Sequence, residues 1–158
     1  MLDHLKVRAQ LWPLAIARVM LGIMFLVAGI DKLQAGPQWP DRMSSFLSRF
    51  DGRAVGFYQS FIDKVAIPHS TFFGYLVALG EVAVGIALVT GTCTRLASFF
   101  GLFMVVNFML LKADAIWSPT NHDTLYFVLL LAFMVTGAGR SFGLDYYLSR
   151  RFRRPWFW

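Results

Sequence analysis

Phe72–Thr90 reads FFGYLVALGEVAVGIALVT, an apolar run in which the only charge is Glu81. At 1.5 Å per residue, a carboxyl nine residues from either end of such a helix lies about 13 Å inside a bilayer. An ionisable group at that depth is costly and is seldom idle. Gly74, Ala78, Glu81 and Gly85 fall on one helical face, so the acid stands in a stripe of small residues where a second helix can come close. What Glu81 meets on that stripe is the question the stretch poses.

The remainder of the chain agrees with a membrane location. Of 158 residues, 57% are hydrophobic and 15% charged, enough for one domain and too apolar for an ordinary soluble fold. The formal charge of +6 is concentrated at the C-terminus, where Arg150, Arg151, Arg153 and Arg154 precede Trp156, Phe157 and Trp158. Beside a transmembrane helix, arginines interleaved with aromatics rest on anionic lipid headgroups, so membrane lipid is the expected partner and nucleic acid is not. The single cysteine, Cys93, excludes an internal disulfide or a CxxC centre. Dithiol chemistry would need a partner.

Working outward, residues 11–33 form an apolar stretch longer than a signal h-region. It contains Arg18 and ends in Asp31-Lys32 rather than a small-residue cleavage site, which predicts a retained first membrane helix. Further helices are expected at about 72–90, 96–111 and 124–138, with a basic amphipathic tail over 140–158. Between the first two, Gly36-Pro37 and Trp39-Pro40 break the chain before an amphipathic segment at 41–65, which Gly52 and Gly56 divide into two short helices. That segment is expected to lie in the membrane interface or to cap the bundle, with a small extramembrane core as the alternative. The short connection at 91–95 makes helices two and three antiparallel neighbours. The expected fold is an all-α integral membrane protein, a four-transmembrane-helix bundle. With both termini cytoplasmic, the inner side holds eight Lys and Arg against six outside, counted from the sequence with Arg18 left out because it falls within the first helix.

Several polar residues are candidates for chemistry. On this topology Arg18 and Glu81 differ in depth by roughly 5 Å along the axis, a gap an arginine spans, so a charge pair inside the bundle is expected. It serves either as a register pin or as a proton-handling ligand site. Asn107 on the third helix either joins that cluster or ties two helices together. Asp31, Lys32, Lys112, Asp114, His122 and Asp123 gather at the opposite rim. Histidine with carboxylates at a membrane surface suits a quinone, whose carbonyls accept hydrogen bonds and whose reduced form exchanges two protons. Thr120-x-x-Asp123 also fits a capping box, which would account for Asp123 without a ligand. By helix rise the two polar clusters stand about 15 Å or more apart, so at most one is a headgroup site. No haem, zinc or other metal pattern, phosphate loop or nucleophile constellation is present in the sequence.

The runs RVMLGIMFLVAGIDKL, GEVAVGIALVTGTCTRLAS and GAGRSFGLD resemble the DoxX/DoxD family of small four-helix bacterial membrane proteins. Arg18, Gly22, Gly29, Lys32, Gly80, Glu81, Gly85, Gly91, Arg95, Gly139 and Asp145 occupy the family-like positions. DoxD is the membrane subunit of a thiosulfate:quinone oxidoreductase, and other relatives are associated with redox or thiol-stress complexes. The resemblance therefore implies a multi-pass protein of the bacterial inner membrane that works with a quinone, ubiquinone or menaquinone. It implies electrons from a partner redox subunit, with a homo-oligomer as a further possibility. Glu81 and Arg18 are the expected inner catalytic anchor. His122 and Asp123 are expected at the outer mouth, Lys32 and Asn107 among the polar ligands, and Phe25, Gly29, Gly85 and Tyr126 around the ring. A non-catalytic membrane scaffold or assembly partner is the other functional class the sequence allows.

Overall fold

The computed structural model describes residues 12–50, 52–113 and 122–151. Helix α1 spans Trp12–Gln34. Pro13 falls in its first turn, where the missing N–H is no loss. A short 3₁₀ turn, Gly36–Gln38, leads into α2, Trp39–Ser48, and Gly52 at φ +73° turns the chain toward α3, Gly56–Phe61. A π-helical turn, Ile62–Ala66, then carries the chain to α4, Ser70–Thr90. Helix α5 is Thr94–Lys112, α6 is His122–Thr136, and α7 is Asp145–Arg151 after a 3₁₀ turn at Ala138–Arg140.

The protein is an all-α membrane protein. Helices α1, α4 and α5 are long and apolar enough to cross a bilayer, whereas α6 is apolar but only 15 residues long. At 1.5 Å per residue its described part covers about 22 Å, against a hydrocarbon core of roughly 30 Å. Among the described residues, then, three helices meet the length of a full span where four were expected.

Small residues set how the helices meet. A Cβ added to Gly85 of α4 would lie 2.6 Å from the Leu26 nitrogen of α1, and one on Gly29 would lie 2.8 Å from the Ala78 carbonyl oxygen. The two backbones touch there, so any side chain at either position must separate the helices. Around this seam Leu21, Phe25, Val84, Leu88, Val105, Leu130 and Phe133 make one buried core shared by α1, α4, α5 and α6.

The segment between α1 and α4 caps one end of the bundle, here termed the loop face. Met43, Leu47, Ile62 and Ala66 bury themselves against Leu111, with Phe73 and Val77 alongside, so the cap carries a small core of its own. It is also tied by hydrogen bonds: Val55 N donates to the Leu110 carbonyl at 3.2 Å, and the Tyr58 hydroxyl donates to Asn107 Oδ1 at 2.8 Å. Its other side leaves Phe57, Phe61 and Val65 exposed, continuing the apolar surface of α4.

Candidate functional site

The α1–α4 seam decides what Glu81 meets. Because Gly85 lies against Gly22 and Leu26, and Gly29 against Ala78 and Val82, Gly29 itself stands level with Glu81, and the residue one turn beyond it turns its side chain back along α1, past the Ala28 carbonyl, to the acid. That residue is Lys32. Its Nζ donates to Glu81 Oε2 at 2.5 Å, with side-chain exposures of 21% for the lysine and 7% for the acid. Lys32 also stands 5.6 Å from the centre of the Trp39 ring, a cation–π contact that holds the ammonium from a second side.

The expected Arg18–Glu81 pair does not form. Helix α1 projects well past the end of α4, so depth counted from the helix ends is offset between the two, and Arg18 lies level with Gly91 rather than with the acid. The guanidinium is 1% exposed and donates to the Phe142 carbonyl at 3.4 Å. It faces Asp145, also fully buried, which accepts from Cys93 N at 2.6 Å and Thr94 N at 2.8 Å. Asp145 therefore caps α5 from 51 residues away, where its charge complements the helix dipole. Gly139 and Gly143 make this tail-face knot possible, since a Cβ on either would collide with Asp145 and Thr94 or with Arg18.

Burial, and after it the Asp145 carboxylate, push the Cys93 thiol above its ordinary value. Because the thiolate is the reactive form, Cys93 is expected to alkylate with maleimide more slowly than a free thiol near neutral pH, and faster as pH rises. Labelling of the folded protein at the rate of a small free thiol would contradict this.

At the loop face, Lys112 in the last turn of α5 donates to Asp123 Oδ2 in the first turn of α6 at 2.7 Å. Asp123 is buried, and the Tyr126 ring lies one turn further along, 6.3 Å from that of Phe25. Both ion pairs line one cavity of about 950 Å³ between α1, α2, α4, α5 and α6. Glu81, expected in an inner cluster with Arg18, thus shares one chamber with Lys32, Lys112 and Asp123 of the expected outer rim, while Arg18 does not line it. Its apolar wall is formed by Phe25, Ala28, Val77, Val105, Phe108 and Tyr126. Its rim is a polar stripe that runs from Gln38, just before α2, through Asp41, Arg42 and Ser45 of α2 to Arg49 just after it, with half-exposed Met24 on the opposite edge.

The other candidates lie elsewhere. His122 is exposed and does not line the cavity. Asn107 accepts from Tyr58 and donates to the Phe103 carbonyl at 2.6 Å, which ties α3 to α5. Asp114 and Thr120, with the capping box, fall outside the described residues, as do the tail residues from 152 onward. Sequence reading missed Trp39 and the α2 stripe as cavity walls, although the i, i+3, i+4, i+7 spacing of Gln38, Asp41, Arg42 and Ser45 was there to be read. Among the described residues no cluster of metal-ligating side chains occurs.

The family profile described as DoxX matches residues 14–113. The chain belongs to the DoxX family. The matched part of this DoxX protein runs from α1 through α5 and contains Lys32, Glu81 and Lys112, while Asp123, Tyr126 and the Asp145 knot lie beyond it. No solved structure matches the chain.

Proposed function

We propose that this DoxX-family protein serves a membrane electron-transfer reaction by holding a quinone, ubiquinone or menaquinone, in the cavity shared by the two ion pairs. A partner redox subunit supplies the electrons, in a bacterial inner membrane with both termini cytoplasmic and the loop face outside. The observation that carries this reading is the convergence of Lys32–Glu81 and Lys112–Asp123 on one chamber with an apolar wall. Such a chamber fits an amphiphilic ring with polar oxygens better than it fits an ion or a wholly apolar lipid tail.

A bound quinone supplies a lipid-soluble acceptor for two electrons and two protons. The residues of the chain do the rest. Lys32 Nζ and Lys112 Nζ are the donors available to carbonyl oxygens, while the carboxylates of Glu81 and Asp123 hold and pass protons at Oε2 and Oδ2. Phe25, Val105 and Phe108 keep water from the apolar end. A scaffold has use for the glycine seam, the tail-face knot and ion pairs that fix helix register, but it does not need a cavity of this size between them.

The test is quinone content of the purified protein, together with quinone reduction in membranes that carry it and its native partners. Quinone should co-purify, and Glu81→Gln should lower the rate by about a hundredfold or more, the range ascribed to a positioned acid or base. Ser60→Ala, exposed on α3 and away from the chamber, should leave the rate unchanged. If no quinone is retained and Glu81→Gln matches wild type, the scaffold reading replaces this one.

A further inference from the structure

A second cavity, of about 400 Å³, opens at the other end of the bundle, between Thr90 at the end of α4 and the turn that leads into α7. We propose that this tail-face cavity is a binding site for the headgroup of an anionic phospholipid, with Arg150 as its cation and Phe142, Leu144 and Tyr147 as its contacts with the acyl chains.

Depth is the first argument. Thr90 is the last residue of a membrane-spanning helix, so a cavity beside it lies where headgroups lie rather than in hydrocarbon or bulk water.

The second argument is the exposed apolar trio on the cavity's edge. Phe142 is 79% exposed, Tyr147 68% and Leu144 49%. Phe142 moreover holds φ at +53°, a conformation that L side chains rarely adopt, and it does so while its ring packs on little of the protein. A strained backbone that presents an aromatic ring outward is explained when the ring inserts into lipid.

Charge is the third. The Arg150 guanidinium stacks 4.2 Å over the Tyr146 ring, and Tyr146 lines the cavity, so the cation is held at its edge. The neighbouring acid, Asp145, does not neutralise it, because that carboxylate is buried and engaged with Cys93 N and Thr94 N. Within the cavity Ser141 is 2% exposed and its Oγ has no protein partner, which leaves a donor for a phosphate oxygen. The apolar trio is what favours a lipid phosphate over free phosphate.

The test is native mass spectrometry of the full-length protein in detergent, titrated with phosphatidylglycerol or with phosphatidylcholine of the same chains. The site predicts tighter binding of phosphatidylglycerol and a loss of roughly fivefold with Arg150→Gln, the worth of one basic contact at a headgroup. Arg151→Gln removes the same charge but no stacked contact, and should have a clearly smaller effect. Phe142→Gly separates binding from folding, since it relieves the positive φ and removes the ring: lipid binding should weaken while thermal stability holds or rises. Equal binding of the two lipids, equal effects of the two arginine changes, or displacement by millimolar inorganic phosphate would each overturn the proposal.

Discussion

Lys32→Met is expected to destabilise the protein by about 3–5 kcal/mol, the range for removing one partner of a buried ion pair. The loss comes chiefly from the group left behind. Glu81 has 7% side-chain exposure and, without Lys32, faces the apolar seam with no compensating ammonium. The converse change, Glu81→Leu, should cost less, because Lys32 at 21% exposure can turn its flexible stem toward the rim. The double variant, Lys32→Met with Glu81→Leu, should recover much of the loss, since a well-packed apolar pair is often as stable as the ion pair it replaces. Reversible unfolding in mixed detergent micelles measures all three. Strictly additive losses would show that the two side chains do not interact. Arg18→Leu should show no coupling to Glu81, because the two lie at different levels of the bundle.

Asp145→Ala is the second change with a large expected effect, also about 3–5 kcal/mol. It removes the acceptor from two backbone N–H groups at the start of α5 and leaves the fully buried Arg18 guanidinium facing no carboxylate. Asp145→Asn retains an acceptor for one N–H and should lose less. Gly139→Ala should approach the effect of Asp145→Ala, because its Cβ would occupy the space of the carboxylate and the Thr94 hydroxyl. Pulse proteolysis in detergent reads the ranking. Asp145→Ala as stable as wild type would mean that the knot does not hold α1, α5 and the tail together.

Glu81 was legible as a focal residue because it is the only charge in an apolar helix, a signal of hydropathy alone. Its partner was not legible, because register depends on which glycines touch which backbone. Counting from helix ends assumes that α1 and α4 start in one plane, whereas contacts at Gly22, Gly29 and Gly85 offset them by several residues. The same offset lets Lys32, which reads as a rim residue by position, send its ammonium to Glu81. Asp145 was beyond local reading for a different reason. Helix α5 begins without a capping side chain of its own, since Cys93 supplies none, and its cap arrives from a segment 51 residues later. Asn107 was read with both of its roles open, and only the placement of α3 shows Tyr58 as its partner. The cap at the loop face was visible as an amphipathic pattern. That its polar stripe walls a cavity depends on how α2 is rolled against α4, which periodicity does not encode.

One chamber, walled by both ion pairs, is the proposed seat of the quinone. Photolabelling of the membrane-embedded protein with an azido-quinone, followed by peptide mapping, tests it most directly. Labels are expected on the cavity wall, at Met24, Phe25, Phe108 or Tyr126, and should disappear with excess unlabelled quinone and weaken with Glu81→Gln. Labels confined to outward-facing residues such as Phe99, Phe103 or Val128, and indifferent to competitor, would contradict it.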